Sequence, residues 1–249
     1  MFRGLSLKEF RIPADIMIPG GDFILMEMRS RKKYFLFPVI LLIFALAGCG
    51  LFTKNYGFNS DTEGLYVQKD GQILSTLTSD FDQSYYDIEE LTYVAQQQVQ
   101  KFNSDNYGQS YYSYDQLTDE QKKQMILPVA LNSVTQSGET VKVVLQFGNG
   151  DIYTAFSAID IAAAGGTKVY TSTVGATEVA LSGNFVTPSG AAADTAKIME
   201  DTEDTLVYVD YAVQISTERD IAYVSDGVTM VNSHTVQTPA GQGSFVIFK

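Results

Sequence analysis

The chain has 249 residues, with 29 Asp and Glu against 17 Lys and Arg, a net charge of −12, one cysteine, one histidine and no tryptophan. That balance argues against a nucleic-acid partner, because phosphate binding needs clustered cations, and a lone cysteine excludes internal disulfides and thiolate zinc sites. About 200 residues follow the first 48, enough for one large domain, or two closely packed subdomains, held by a hydrophobic core alone.

Residues 1–27 contain Pro13, Pro19 and the turn-like pair Gly20-Gly21. They stand before a segment with the order of an export signal, so they read as a misassigned start, with Met26 or Met28 as the initiator. Arg29, Arg31, Lys32 and Lys33 precede an apolar run over residues 34–46, and small residues follow. This is the charge-then-apolar order of a secretory signal. The run has about 13 residues and is interrupted by Pro38, whereas a spanning helix needs about 20, so residues 28–48 read as a cleaved signal peptide.

The segment closes on Leu46-Ala47-Gly48-Cys49. These four residues resemble the lipobox of bacterial lipoproteins, a resemblance that covers residues 28–49 only. It implies that the Cys49 thiol carries a diacylglycerol, that the peptide bond before it is cut, and that the lipid is the protein's contact with the membrane. Two acyl chains hold a protein stably where one holds it marginally. The residue after the cysteine is Gly50 rather than an acid, and the expected location is the extracytoplasmic face of a Gram-positive cell membrane. An ordinary signal peptide cleaved near Ala47, with Cys49 incidental, is the alternative.

Residues 49–63 read as the lipidated cysteine and a tether, since Gly, Asn, Ser and Asp mix there without periodicity. The folded domain is expected over residues 64–249. Residues 65–67 and 73–77 flank Lys69-Asp70-Gly71-Gln72, and Asp-Gly between β-rich runs predicts a hairpin. Asp87 then opens a helix over residues 87–102, where Ile88, Leu91, Val94, Ala95 and Phe102 recur at helical spacing. A polar, Tyr-rich loop is expected over 103–115, and a short helix over 118–125 from the Thr118 and Gln121 capping pair. Residues 129–136 and 140–147 form a second expected hairpin about Ser137-Gly138-Glu139. Asn149-Gly150 supplies the next turn, and residues 151–164 are ambiguous.

Residues 162–193 are rich in Gly, Ala, Ser and Thr, with strands expected only at 168–173 and 184–186. From residue 197 on, short strands are expected at 197–200, 206–215, 221–224, 228–231, 235–237 and 244–248. Their short links favour antiparallel pairing. The fold class expected is α+β, mostly antiparallel β-sheet with one main amphipathic helix.

Chemistry is sparse. His234, the only histidine, reads as part of a turn, Asn232-Ser233-His234, and no nucleophile elbow accompanies it. Gly148-Asn149-Gly150-Asp151 lacks the third glycine and the Lys-Ser/Thr of a phosphate loop and reads as a hairpin turn. Glu200-Asp201-Thr202-Glu203-Asp204 lacks the ligand spacing of a calcium loop and reads as a solvated hairpin turn. No metal site or cofactor is expected. The one compositional cluster is tyrosine, and Tyr107, Tyr111, Tyr112 and Tyr114 are the candidate ligand-binding residues, because a flat apolar ring with a polar tip suits sugar or peptide. The function expected is a non-catalytic binding, scaffolding or sensing lipoprotein of the cell envelope, its partner a cell-wall glycan or an envelope protein. The alternatives are a carboxylate-dependent envelope hydrolase and a solute-binding lipoprotein.

Overall fold

The structure is a computed structural model, and it describes residues 58–59, 61–83, 86–158 and 167–249. The signal segment, Cys49 and most of the tether lie outside the described residues.

The larger sheet begins with β1 (Gly64–Val67) and β2 (Ile73–Asp80), joined through the expected Asp70-Gly71 turn. Helix α1 (Ile88–Tyr107) follows, opened by the Asp87 carboxylate, which accepts from Glu89 N at 2.8 Å. Its buried stripe is Ala95, Val99, Phe102 and Asn103. Helix α2 (Asp119–Gln124) has the capping box read from Thr118 and Gln121. β3 (Val129–Ser137) and β4 (Thr140–Phe147) form the second hairpin, and α3 (Gly150–Ser157) comes next.

β5 (Val169–Thr173), β6 (Phe185–Val186), β7 (Ala192–Ala193), α4 (Thr195–Ile198) and β8 (Thr205–Val209) lead into the C-terminal strands. These are β9 (Gln214–Thr217), β10 (Ile221–Ser225), β11 (Thr229–Asn232), β12 (Thr235–Gln237) and β13 (Ser244–Phe248). One sheet has the order β11-β12-β9-β1-β2-β4-β3, the other β5-β8-β13-β10-β6-β7. The class is α+β with antiparallel pairing dominant, as read from the sequence.

A single apolar cluster draws on both sheets and two helices. Val67, Ile73, Val143, Phe147 and Ile215 of the larger sheet meet Val207, Val209, Val246 and Phe248 of the smaller, with Val99 and Phe102 from α1 and Tyr153 and Phe156 from α3. Rings interlock at its helical side, with Phe147 edge-on to Tyr153 at 5.0 Å and Phe102 edge-on to Phe156 at 5.2 Å. The other face of the smaller sheet buries Phe185, Leu206, Phe245 and Ile247 with Ile198 of α4. Each such side chain contributes about 1.5–3 kcal/mol of transfer free energy.

Several expectations are corrected. α1 runs a full turn past Phe102, because Asn103 is not a loop residue. Its fully buried amide donates to Tyr111 O and Val129 O, both at 2.7 Å, and accepts from Val129 N at 3.0 Å, fastening the helix to the start of β3.

Gly148-Asn149-Gly150-Asp151 is a strand-to-helix junction, not a hairpin turn, and the Asn149 side chain caps α3 by accepting from Ile152 N at 2.9 Å. Gly150 is bare because α3 starts against β5. A Cβ there would lie 2.7 Å from Thr171 N and Tyr170 Cα.

Residues 197–200 are not a strand. Asp194 caps the short helix α4 by accepting from Ala196 N. Residues 200–204 connect α4 to β8 instead of closing a hairpin, and Asp204 O and Thr202 O accept from Val174 N and Gly175 N. Burial, with Asp201 adding, raises the Asp204 carboxyl above its usual range.

Residues 206–215 break into β8 and β9 because the chain changes sheet there. Asp210 Oδ1 accepts from Lys168 N at 2.7 Å on one side of the break, and Thr238 Oγ1 accepts from Val213 N at 2.8 Å on the other. The change of sheet also brings β9 alongside β1 in parallel, the one parallel pair among the described strands. The short local links said nothing of a partner so distant in sequence.

Candidate functional site

The middle of the larger sheet holds an incomplete place. β1 is four residues long and lies between β9 and β2. Its first residue, Gly64, pairs with Thr76, whereas β2 continues to Asp80. On the other side Leu65 pairs with Ile215, so residues 211–213 also extend past the start of β1. Past Gly64, β2 and the segment leading into β9 therefore continue without β1 between them.

A hollow of about 250 Å³ occupies this place, lined by Glu63, Gly64, Ser75, Thr76, Tyr153, Tyr211, Gln214 and Gln237 among others. α3 supplies Tyr153, held by Phe147, and the sheet-changing segment supplies Tyr211, whose carbonyl accepts from Thr238 Oγ1 at 2.7 Å. The two phenol oxygens are 3.0 Å apart. Burial pushes both hydroxyls above the ordinary tyrosine range, with their mutual hydrogen bond lowering Tyr153 and raising Tyr211. Both are therefore neutral O–H groups at physiological pH, each able to donate and accept. Thr76 Oγ1 is buried and has no hydrogen-bond partner among the described residues. Glu63 is the only carboxylate of the lining among the described residues, and Thr78 Oγ1 lies 3.3 Å from it.

The four candidate tyrosines lie elsewhere. Tyr107 is half-exposed at the end of α1, its ring 5.8 Å from Phe102. Tyr112 packs on the main core, and Tyr111 and Tyr114 pack with Leu117, Leu127 and Ala130. The Tyr114 hydroxyl accepts from Leu127 N at 3.1 Å, and burial raises its pKa. Thus Tyr111 and Tyr114 share one cluster, and none of the four lines the hollow at Gly64. His234 sits in the turn between β11 and β12, with Nε2 3.2 Å from Asp220 Oδ1. No group of three or more His, Cys, Asp or Glu among the described residues is placed to hold a metal ion.

Sequence reading missed Tyr153, Tyr211, Thr76 and Gln214, which come from α3, the link between β8 and β9, β2 and β9 and share no motif. No protein-family model, curated protein or solved structure matches the chain.

Proposed function

We propose that this is a bacterial lipoprotein, held at the extracytoplasmic face of the cell membrane by a diacylglycerol on Cys49, whose folded part is a non-catalytic binding, scaffolding or sensing protein of the envelope. The observation that carries the anchor is the order of four cations, a short apolar run and Leu46-Ala47-Gly48-Cys49. At about 0.8 kcal/mol per buried CH₂, two acyl chains supply enough to keep the protein bound. From Cys49 to the first residue of β1 the chain can span at most about 50 Å, so the folded part works close to the bilayer. No helix among the described residues is long and apolar enough to cross a membrane.

Binding is favoured over hydrolysis by the lining of the hollow at Gly64. Carboxylate catalysis on a glycan takes two acids about 5–9 Å apart across the bond. The lining offers Glu63 among neutral hydroxyls, amides and rings, a set suited to holding a polar molecule. Metabolic labelling with a palmitate analogue tests the anchor: the unaltered protein should take up label and Cys49→Ala should not, and undiminished labelling of that variant would sink the reading.

A further inference from the structure

The hollow between β2 and the segment leading into β9 carries one formal charge and no counter-ion. Glu63 is an exposed residue of its lining, and Thr78 Oγ1 donates to Glu63 Oε2 at 3.3 Å. A carboxylate has about four lone-pair sites, so one neutral donor leaves most of them open. The cation nearest in register is Lys142, which lies opposite Thr78 across β2 and β4, and it is paired with Asp61. Among the described residues no ion pair reaches Glu63, and no Lys, Arg or His lines the hollow.

The groups within a ligand's reach are those that keep some exposure. Tyr211, Ala212, Val213, Gln214 and Gln237 are half-buried residues of the lining, beside the exposed Glu63. The Gln237 amide nitrogen donates to Thr238 O at 3.1 Å, which leaves its Oε1 to accept. Ala212 and Val213 add apolar surface. Acceptors and a short apolar wall thus stand around a single negative charge.

We propose that this hollow binds a short alkylammonium group, its charged end at Glu63 and its carbon chain along Ala212 and Val213. Size is the first reason. The volume of about 250 Å³ lies below the roughly 300 Å³ at which drug-sized pockets begin, so the ligand is a short chain.

Charge is the second. An ammonium has three donors and no acceptor, which the Glu63 carboxylate and Gln237 Oε1 match. Hydrogen bonds between ionised partners are roughly twice as strong as neutral ones. A carboxylate or phosphate would meet Glu63 with no cation in the lining to offset it. The net charge of −12 also draws cations toward the protein and repels anions, most strongly at low salt.

The third reason is how far the Glu63 charge acts. Burial raises the Tyr153 hydroxyl most, and the charge of Glu63 raises it further, so the carboxylate's field extends to the buried hydroxyl pair of Tyr153 and Tyr211. Those hydroxyls stay neutral and add acceptors, not a competing cation.

An alkylammonium comes from two sources, a free amine or the lysyl side chain of a partner. The inference rests on reading the folded part as a binding protein, and it does not depend on the anchor. The test is saturation-transfer NMR and calorimetry on the full-length protein in detergent. The probes are n-butylammonium and Nα-acetyl-lysine N-methylamide, and 1-butanol and butyrate are the neutral and anionic controls. At least one ammonium probe should bind, and neither control should. Tighter binding of butylammonium assigns the site to a free amine, and tighter binding of the lysyl probe assigns it to a partner's side chain.

Glu63→Gln should weaken the ammonium binding roughly tenfold and Gln237→Leu roughly threefold. Glu120→Gln, which removes a carboxylate of α2 outside the lining, should change it less than about twofold. Glu63 is exposed, so Glu63→Gln should keep its Tm within about 2 °C of the unaltered protein, and its lost affinity is then not unfolding. Binding of neither ammonium probe, binding of 1-butanol as tight as that of butylammonium, or equal losses in Glu63→Gln and Glu120→Gln would overturn the proposal. Binding of 1-butanol or butyrate alone refutes the cation site and keeps the reading as a binding protein. Binding of none of the four compounds also removes the support that the hollow gives to that reading.

Discussion

Asn103 is the buried polar group on which the docking of α1 depends, and replacing it with leucine is the sharpest perturbation of the fold. The side chain is 0% exposed, and it serves three backbone groups: Tyr111 O, Val129 O and Val129 N. Leucine is nearly the same size and a better helix former, so lost volume or propensity will not explain a loss. Each backbone group left unsatisfied in the interior costs about 1–3 kcal/mol. With a partial return from added apolar burial, Asn103→Leu should destabilise by about 3–5 kcal/mol. For a slope near 2 kcal/mol/M, that moves the urea midpoint down by roughly 1.5–2.5 M with the slope unchanged.

Asn103→Asp keeps the acceptor for Val129 N but sets a carboxylate against two carbonyl oxygens. Its folded pKa is then raised, so the protein's stability is favoured below about pH 4 and falls as pH rises through the raised value. This variant should be closer to the unaltered protein at pH 4 than at pH 7. Asn106→Ala, on the exposed side, should change stability by no more than about 0.5 kcal/mol. If Asn103→Leu lies within about 1 kcal/mol of the unaltered protein, the amide does not fasten α1 to β3 and the reasoning fails.

The remaining expectations concern the helix face and alkaline pH. Phe102→Ala, removing a ring packed on Phe156, should cost about 3–5 kcal/mol in denaturant unfolding, while Gln97→Ala on the exposed side should cost almost nothing; equal losses would mean the face is misassigned. Burial pushes Tyr66 up to about 12, with Glu218 adding, and raises Tyr153 and Tyr211 as well. A raised folded pKa gives stability that is whole below the unfolded value of about 10 and lost as pH rises through the folded one. Thermal midpoints should hold up to pH 10 and drop steeply toward pH 12, and a flat profile across that window would contradict these burials.

What the sequence disclosed follows from how local each signal was. The Thr118 and Gln121 capping box, the start of α1 at Asp87, and the hairpins at Asp70-Gly71 and Gly138 are written in residues a few positions apart. α4 is four residues long, too short to display a helical period, so Lys197 and Ile198, with Met199 just after them, read equally well as strand. The far end of α1 was hidden because Asn103 looks like a loop residue until the strand it bonds is in place. The break between β8 and β9 carries no Gly or Pro; it is imposed by Asp210 and Thr238 holding distant backbone. For the same reason the hollow at Gly64 was illegible, since Tyr153 and Tyr211 meet only after the two sheets close on α3.

The proposed anchor makes Cys49 the first residue of the mature protein and the bearer of its lipid. Mass spectrometry of the N-terminal peptide, from protein purified out of membranes of the native cell, tests it directly. Residues 1–48 should be gone, and the Cys49 sulfur should carry a diacylglyceryl thioether. A mature chain that starts elsewhere, or one with an unmodified Cys49 thiol, would contradict it.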